Sequence, residues 1–423
     1  MNEDLLHFIW KFGYFDATNL TTTKGEKVEI IHRGQHNTHA GPDFTNCKIK
    51  IGKVLWAGNV ELHLNSSDWF LHKHQNDDAY NSIILHVVLE QNGEAATRAD
   101  GAEIPTLALG NRINAGTLSR YAELNKRRNW IPCERFFGDV SEMVRYTHLS
   151  RLLVERLEHK VEHIETLLKE CANDWEQVMF VMLARYMGAG INKEPFELLA
   201  KSLPVTIWAR HLHEPLRIEA LVFGQAGFLN EKYEDDYPNN LRKEYQYLKR
   251  LHQLTPLPKH LFKFLRLRPS NFPTVRLAQL AGLMCNEPKL FSELAAAKDV
   301  KGAVALLEGE VNVYWKTHYH FDKLTKGARV NMGAAIKQVL IINAVAPVLF
   351  AYGRYKADET YCDKAMSWLE QCKAESNAIV TRWQKLQVKP LNAFDTQALL
   401  QLKNEHCDKF MCLSCGIGLK ILS

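Results

Sequence analysis

GPDFTNCKIKIGKVLWAGNVELHL, residues 41–64, decides how the N-terminal part of the chain folds. From Phe44 to Gly52, and again from Val54 to Leu64, apolar and polar residues alternate, the period of strands that bury one face. KVEIIHRG (27–34) alternates in the same way, and SIILHVVLE (82–90) is apolar enough for a strand covered on both faces. Residues 3–15 instead place Leu5, Leu6, Phe8, Ile9, Trp10 and Phe12 at helical spacing, and Gly13 breaks the pattern. Residues 65–81 read as a capped turn with a short helix. IPTLAL, in the loop 91–110, reads as one further strand. The expected order is helix, three strands, helix, strand.

Beyond this sheet the period changes. AGTLSRYAELNKRRNW (115–130) turns helical, and IPCERFF (131–137) reads as a linker. From about residue 140 nearly everything follows a 3.6-residue period. The clearest run is 145–171, with Leu149, Leu152, Leu153, Leu157, Val161, Ile164 and Leu168 on one stripe. Further helices are expected near 175–187, 194–203, 214–226, 240–253, 257–265, 274–284, 287–297, 301–309, 332–352, 358–372, 374–386 and 393–405. The expectation is an α+β protein, with a mixed-sheet α/β domain over 1–112, a helical linker over 113–138, and a large all-helical domain over 139–423 that ends in a cysteine-bearing tail.

Composition agrees with a folded, well-buried chain: 46% of the 423 residues are hydrophobic and 24% charged. The N-terminus lacks a basic region and cleavage site, and the longest apolar run, 339–352, contains Pro347 and falls short of a membrane span. A cytoplasmic protein with no membrane partner is the expectation, and scattered cysteines fit a reducing compartment. The net charge of +5 is mild, but residues 241–276 hold nine Lys or Arg against one acid, Glu244.

The chemistry concentrates in the strands. Asp43 opens one of them and Glu61 lies near the end of the next, so adjacent antiparallel strands would set the two carboxylates side by side. His63 is two residues past Glu61 and shares its face. Two carboxylates, with the Leu62 carbonyl as a third oxygen, suit Mg²⁺ or Mn²⁺, and His63 would orient or activate a water. Asp43 also reads as a plain turn residue after Gly-Pro, and Glu61 as a solvent-facing strand acid.

This arrangement resembles the PD-(D/E)XK nuclease superfamily over about residues 1–95. Pro42-Asp43 matches the acid at the start of one strand, Glu61-Leu62 the acid ending the next, and Glu3 or Asp4 the acid of the first helix. His63 stands where that family usually has Lys. The resemblance implies cleavage of DNA or RNA phosphodiesters.

Other residues carry weaker signals. His72 and His74 form an H-x-H pair, but in a loop or helix, where side chains two apart diverge. His36 and His39 read as phosphate contacts or plain surface, His86 as a core or sheet-edge histidine, and Trp69 as a packing anchor or a base-stacking platform. Arg266, Arg268 and Arg276 surround a Pro-Asn-Phe-Pro loop at a helix start that suits phosphate, although a basic run is more often a solvated face. Cys407, Cys412 and Cys415 form a C-x4-C-x2-C run that resembles part of a zinc or iron–sulfur ligand set. Cys133 or His406 would supply a fourth ligand, and buried, unligated thiols are the alternative.

Read end to end, the phrases GPDF, GNVELH, SSDW, ILHVV and RLRPSNFP make the chain look like a bacterial family known only as a domain of unknown function. Three functions remain open. One is a metal-dependent nuclease using Asp43, Glu61 and His63. The second is a catalytically inactive nucleic-acid-binding or assembly module. The third is a zinc or manganese hydrolase of small molecules using His63, His72 and His74.

Overall fold

The computed structural model describes residues 2–126, 128–327 and 330–423. The chain forms two compact units. The first comprises the N-terminal residues up to His148 together with Leu402–Ser423, and the second is Leu149–Gln401.

The first unit is built on a mixed sheet. Helix α1 (Glu3–Phe12) is followed by β1 (Val28–His32), β2 (Gln35–His36), β3 (Phe44–Ile51) and β4 (Val54–Asn65); then come the short α2 (Asp68–Leu71), β5 (Ile83–Glu90) and β6 (Thr106–Ala108). Strands run in the order β1-β3-β4-β5-β6, with β2 also on β3. The first three neighbours are antiparallel, whereas β5 lies parallel to both β4 and β6. The alternation seen in sequence has its direct counterpart: along β3 Phe44, Cys47, Ile49 and Ile51 are buried while Lys48 and Lys50 are exposed.

Two local features set where β4 meets its neighbours. A Cβ on Gly58 would lie 2.6 Å from the Ser82 carbonyl oxygen and 2.4 Å from the Ile84 side chain, so only glycine lets β5 start this close. The register of the β4–β5 pair shifts at Asn59 and Val60, and from there Glu61 pairs with His86 and Leu62 with Val87. Helix α1 covers the sheet with Leu5, Leu6, Phe8, Ile9 and Trp10, and the Trp10 indole N–H donates to the Arg33 carbonyl at 3.1 Å.

The two compact units divide the chain at other points than the expected boundaries: the stretch expected as a helical linker, 113–138, falls in the first unit, and so does the tail from Leu402. Thr117, in α3 (Ala115–Leu124), donates its hydroxyl to the Leu422 carbonyl at 3.1 Å, which ties the last helix, Gly416–Leu422, to the first unit. The helix expected over 115–130 stops at Leu124, and Arg127 lies outside the described residues.

The second unit is mostly helical, as its period foretells. Its core helices Trp175–Met187, Pro215–Gln225 and Pro273–Asn286 are buried along most of their length. It is not purely helical: His318–His320 pairs with Lys323–Leu324 as a small hairpin. The helix expected over 257–265 is reduced to the single turn Lys259–Leu261. Pro256 and Pro258 hold this stretch extended, and Leu257 N–H donates instead to the Gln225 carbonyl at 2.8 Å. The apolar run 339–352 lies in a continuous helix, Ala334–Lys356, of 23 residues, close to the helix expected over 332–352 but, against expectation, long and apolar enough by composition to cross a membrane. A π-helical turn over Ile341–Val345 absorbs Pro347 at the start of the next segment. Its apolar window is 67% buried inside the protein, so it is a core helix.

Trp69 is a packing anchor. It is fully buried against Ile83, Ala96 and Ile104, and its indole N–H donates to the Thr97 carbonyl at 3.0 Å. Trp69→Ala is expected to destabilise the first unit by about 3–5 kcal/mol, read as a fall in the urea midpoint. An unchanged midpoint would show that the cluster is not part of the cooperative core.

Candidate functional site

Asp43 and Glu61 face each other across β3 and β4, each held by the other's strand. Glu61 Oε2 accepts from the Asp43 backbone N–H at 3.1 Å, and Asp43 Oδ2 accepts from the Leu62 N–H at 2.9 Å. The loop before Asp43 is ordered by Asn37, whose N–H donates to the Asp43 carbonyl at 2.7 Å and whose amide donates to the Pro42 carbonyl at 3.1 Å. The two acids are therefore positioned by backbone bonds rather than by flexible side-chain contacts.

Alternation along β4 buries Glu61 and His63 on one face and Val60 and Leu62 on the other. Four imidazoles gather beside Glu61. His74 Nε2 is 3.5 Å and His63 Nε2 3.8 Å from Glu61 Oε1. His63 Nδ1 is 2.9 Å from His86 Nε2, and His63 Nε2 is 3.1 Å from His72 Nδ1. The floor is aromatic: Trp69 lies edge-on to His63 and His86 lies tilted against it, while the His74 ring packs 3.8 Å from that of Tyr80. The chain from His86 to His72 runs from full burial to solvent.

The sequence reading had the imidazoles of His72 and His74 diverging. The structure brings them together, because α2 ends at His72 and Lys73 takes a left-handed conformation (φ 62°), which folds His74 back over β4. One ligand atom from each of His63, His72 and His74 lies within 4.8 Å of the others.

Electrostatics sorts these groups. Burial, reinforced by the neighbouring imidazoles, pulls His63 down to about 2 and His86 to about 4, and it lowers His74 as well. All three are neutral at ordinary pH, the form in which imidazole binds metals. Glu61 goes the other way: burial first, then the Asp43 charge, pushes its carboxyl well above the usual range. His86 Nδ1 is buried without a hydrogen-bond partner. A bare lone pair there costs less than a bare N–H. We therefore assign the direction of donation as His86 to His63 to His72.

The first helix contributes a residue that sequence reasoning missed. It is His7, whose Nε2 lies 3.2 Å from Asp43 Oδ2, while Glu3 and Asp4 of the same helix act on this group through their charge. The signal was present as a half-buried polar residue inside the apolar run Leu5–Trp10, four residues after Glu3. His36 stacks on Phe44 and neighbours His7, while His39 sits exposed in the loop before Pro42.

Arg266, Arg268 and Arg276 all belong to the second unit. Arg266 and Arg268 are exposed. Arg276 is mostly taken up internally, donating to Asn271 Oδ1 at 2.6 Å and Gln279 Oε1 at 2.7 Å, which leaves it little to offer a phosphate. A wide polar groove of the first unit, bordered by Asn2, Thr22, Glu90, Arg112 and Tyr121, contains none of the site residues.

A family model matches residues 3–378, spanning most of the sheet and helical regions described above. The chain belongs to the DUF2851 family. Its description, protein of unknown function, names no activity. Comparison with curated proteins and with solved structures gives no match.

The His7–Asp43 pair makes a pH-dependent contribution. Burial lowers His7, but the hydrogen bond and charge of Asp43 outweigh it and raise the imidazole above 6.5. A group raised on folding stabilises the fold fully below its unfolded value, and that stabilisation is lost as pH rises through the folded value. With a chelator present, the gap in urea midpoint between wild type and His7→Gln is expected to be largest between the carboxylate range and about pH 6.5 and to shrink above it. A gap independent of pH would mean that His7 is not held protonated by Asp43.

Proposed function

We propose that this protein is a metal-dependent hydrolase of nucleic-acid phosphodiesters, with its active site in the first unit. The observation that carries the reading is the pair Asp43 and Glu61, locked side by side by reciprocal backbone bonds, with Glu61 buried. A buried carboxylate next to a second one is costly without a compensating positive charge. The donors fit a divalent cation: two carboxylates with free oxygen positions, and imidazoles held neutral beside them.

Asp43, Glu61 and the Leu62 carbonyl would hold Mg²⁺ or Mn²⁺. Such an ion neutralises phosphate charge and lowers the pKa of a water. The chain's own part is positional. His74 and His63 lie beside Glu61 Oε1, at 3.5 and 3.8 Å. His63 has both ring nitrogens engaged with other imidazoles, so it would hold the row that ends at exposed His72 in place rather than take a proton from water itself. His7 sets the rotamer of Asp43.

The order of elements supports the same reading. A first helix, two successive strands bearing the acids, a helix and a further strand are what the nuclease resemblance implies, with His63 in place of Lys. A polymer also needs a basic surface. Lys48, Lys50 and Lys53 are exposed around the β3–β4 hairpin beside exposed Leu55 and Trp56, a combination suited to phosphates and bases. Arg266 and Arg268 add charge on the second unit.

Asp43→Ala and Glu61→Ala are each expected to lower Mn²⁺- or Mg²⁺-dependent cleavage of labelled DNA or RNA by about 10²-fold or more, with the circular dichroism spectrum unchanged. Full activity in both folded variants would rule the assignment out. Salt-sensitive binding without any cleavage by wild type would point instead to an inactive nucleic-acid-binding module.

A second reading has its own observation: His63, His72 and His74 converge within 4.8 Å, with Glu61 beside them. That set suits zinc or manganese in a small-molecule hydrolase. Stoichiometric zinc retained through purification, and lost in His72→Ala and His74→Ala, would favour it. Metal that exchanges freely would favour the carboxylate site.

A further inference from the structure

Four of the nine cysteines meet in one place. Cys133 lies in a tight turn, in which Glu134 N–H donates to the Ile131 carbonyl at 3.2 Å and Phe136 N–H to the Cys133 carbonyl at 2.9 Å. Cys407 ends the π-helical turn Leu402–Cys407, and Cys412 and Cys415 flank the turn before helix Gly416–Leu422. All four are buried and line one small cavity with Leu402, His406 and Met411. The other five cysteines, such as Cys47 and Cys362, border no part of it.

The surroundings are built around these thiols. A Cβ on Gly418 would sit 2.1 Å from the Cys412 carbonyl oxygen, so only glycine lets the last helix close on the Cys412–Cys415 turn. His148 Nε2 lies 3.2 Å from Cys415 Sγ, in place to donate to a thiolate. Burial, and then the neighbouring cysteines, pushes the Cys412 thiol up to about 12 and Cys133 and Cys407 upward as well. Thiolates are stable here only with positive charge among them.

Spacing selects the kind of metal group. A single tetrahedral zinc draws its four sulfurs to about 3.8 Å from one another, from Zn–S bonds of about 2.3 Å. Cys133, Cys407, Cys412 and Cys415 border one shared cavity, the kind of space that a larger group between the thiols would fill. An iron–sulfur cluster puts iron and inorganic sulfide between its thiolates and so spans a wider set.

We propose that Cys133, Cys407, Cys412 and Cys415 bind an iron–sulfur cluster, which fastens the C-terminal segment to the turn around Cys133. The site is distinct from the carboxylate–histidine cluster and stands or falls independently of the activity proposed there.

The test uses the full chain, purified without oxygen and also reconstituted with ferrous iron and sulfide. Broad visible absorption with equimolar iron and acid-labile sulfide is expected. Both should be lost in Cys133→Ser and Cys412→Ser and kept in Cys47→Ser. Folded wild-type protein that takes up no iron and sulfide on reconstitution overturns the proposal, as does stoichiometric zinc at these thiols. A cluster that survives both serine substitutions overturns the ligand assignment. If the serine variants fail to fold, metal and sulfide analysis of the wild type still decides.

Discussion

Glu61 is a carboxylate buried at the middle of a sheet, beside a second carboxylate, in a protein that could have placed it in water. Everything around it answers that constraint. The Asp43 N–H binds one of its oxygens, His74 and His63 flank the other, and Asp43 is in turn held by the Leu62 N–H and His7. Hydrogen bonds of this kind offset part of the desolvation cost, but neutral imidazoles add no charge. Without a cation the raised pKa of Glu61 lets a proton neutralise it; under the reading proposed above a bound cation would do so instead.

The sheet explains how such a group can be held at all. Reciprocal backbone bonds between the start of β3 and β4 hold the two acids on paired strands, and parallel β5 brings His86 into register with Glu61. Trp69 and Tyr80 close the apolar floor, so the imidazoles sit in low dielectric and stay neutral. Only His72 and part of His74 and Asp43 meet solvent. Under the reading proposed above, fixed placement, low dielectric and one open side are features that a hydrolytic site would use.

The cysteine cluster follows the same logic with softer ligands. Buried thiols far apart in the chain converge where the last helix docks on the first unit. That docking also explains why residues 402–423 leave the helical region to which their sequence period would assign them: helical spacing marks a helix but does not say which core its apolar face will join.

Much was legible from residue order alone. Alternation over 41–64 yields β3 and β4 nearly residue for residue, and the period-two rule puts Glu61 and His63 on one face. Gly13 ends α1 where expected. The failures share one cause. Segment 257–265 has helical spacing, yet two prolines and a backbone bond to Gln225 keep it extended. His72 and His74 read as diverging because a left-handed Lys73 cannot be seen in a pattern. His7 was overlooked, and Cys133 was only one of two candidates to join the late cysteines, because both contacts bridge long sequence separations. Local periodicity therefore determined the strands, the helices and the adjacency of Asp43, Glu61 and His63, since side-chain direction follows from backbone period. Only the tertiary structure decided which distant residues complete each cluster, because that depends on how elements dock, and docking is set by the whole buried surface rather than by any one stretch of chain.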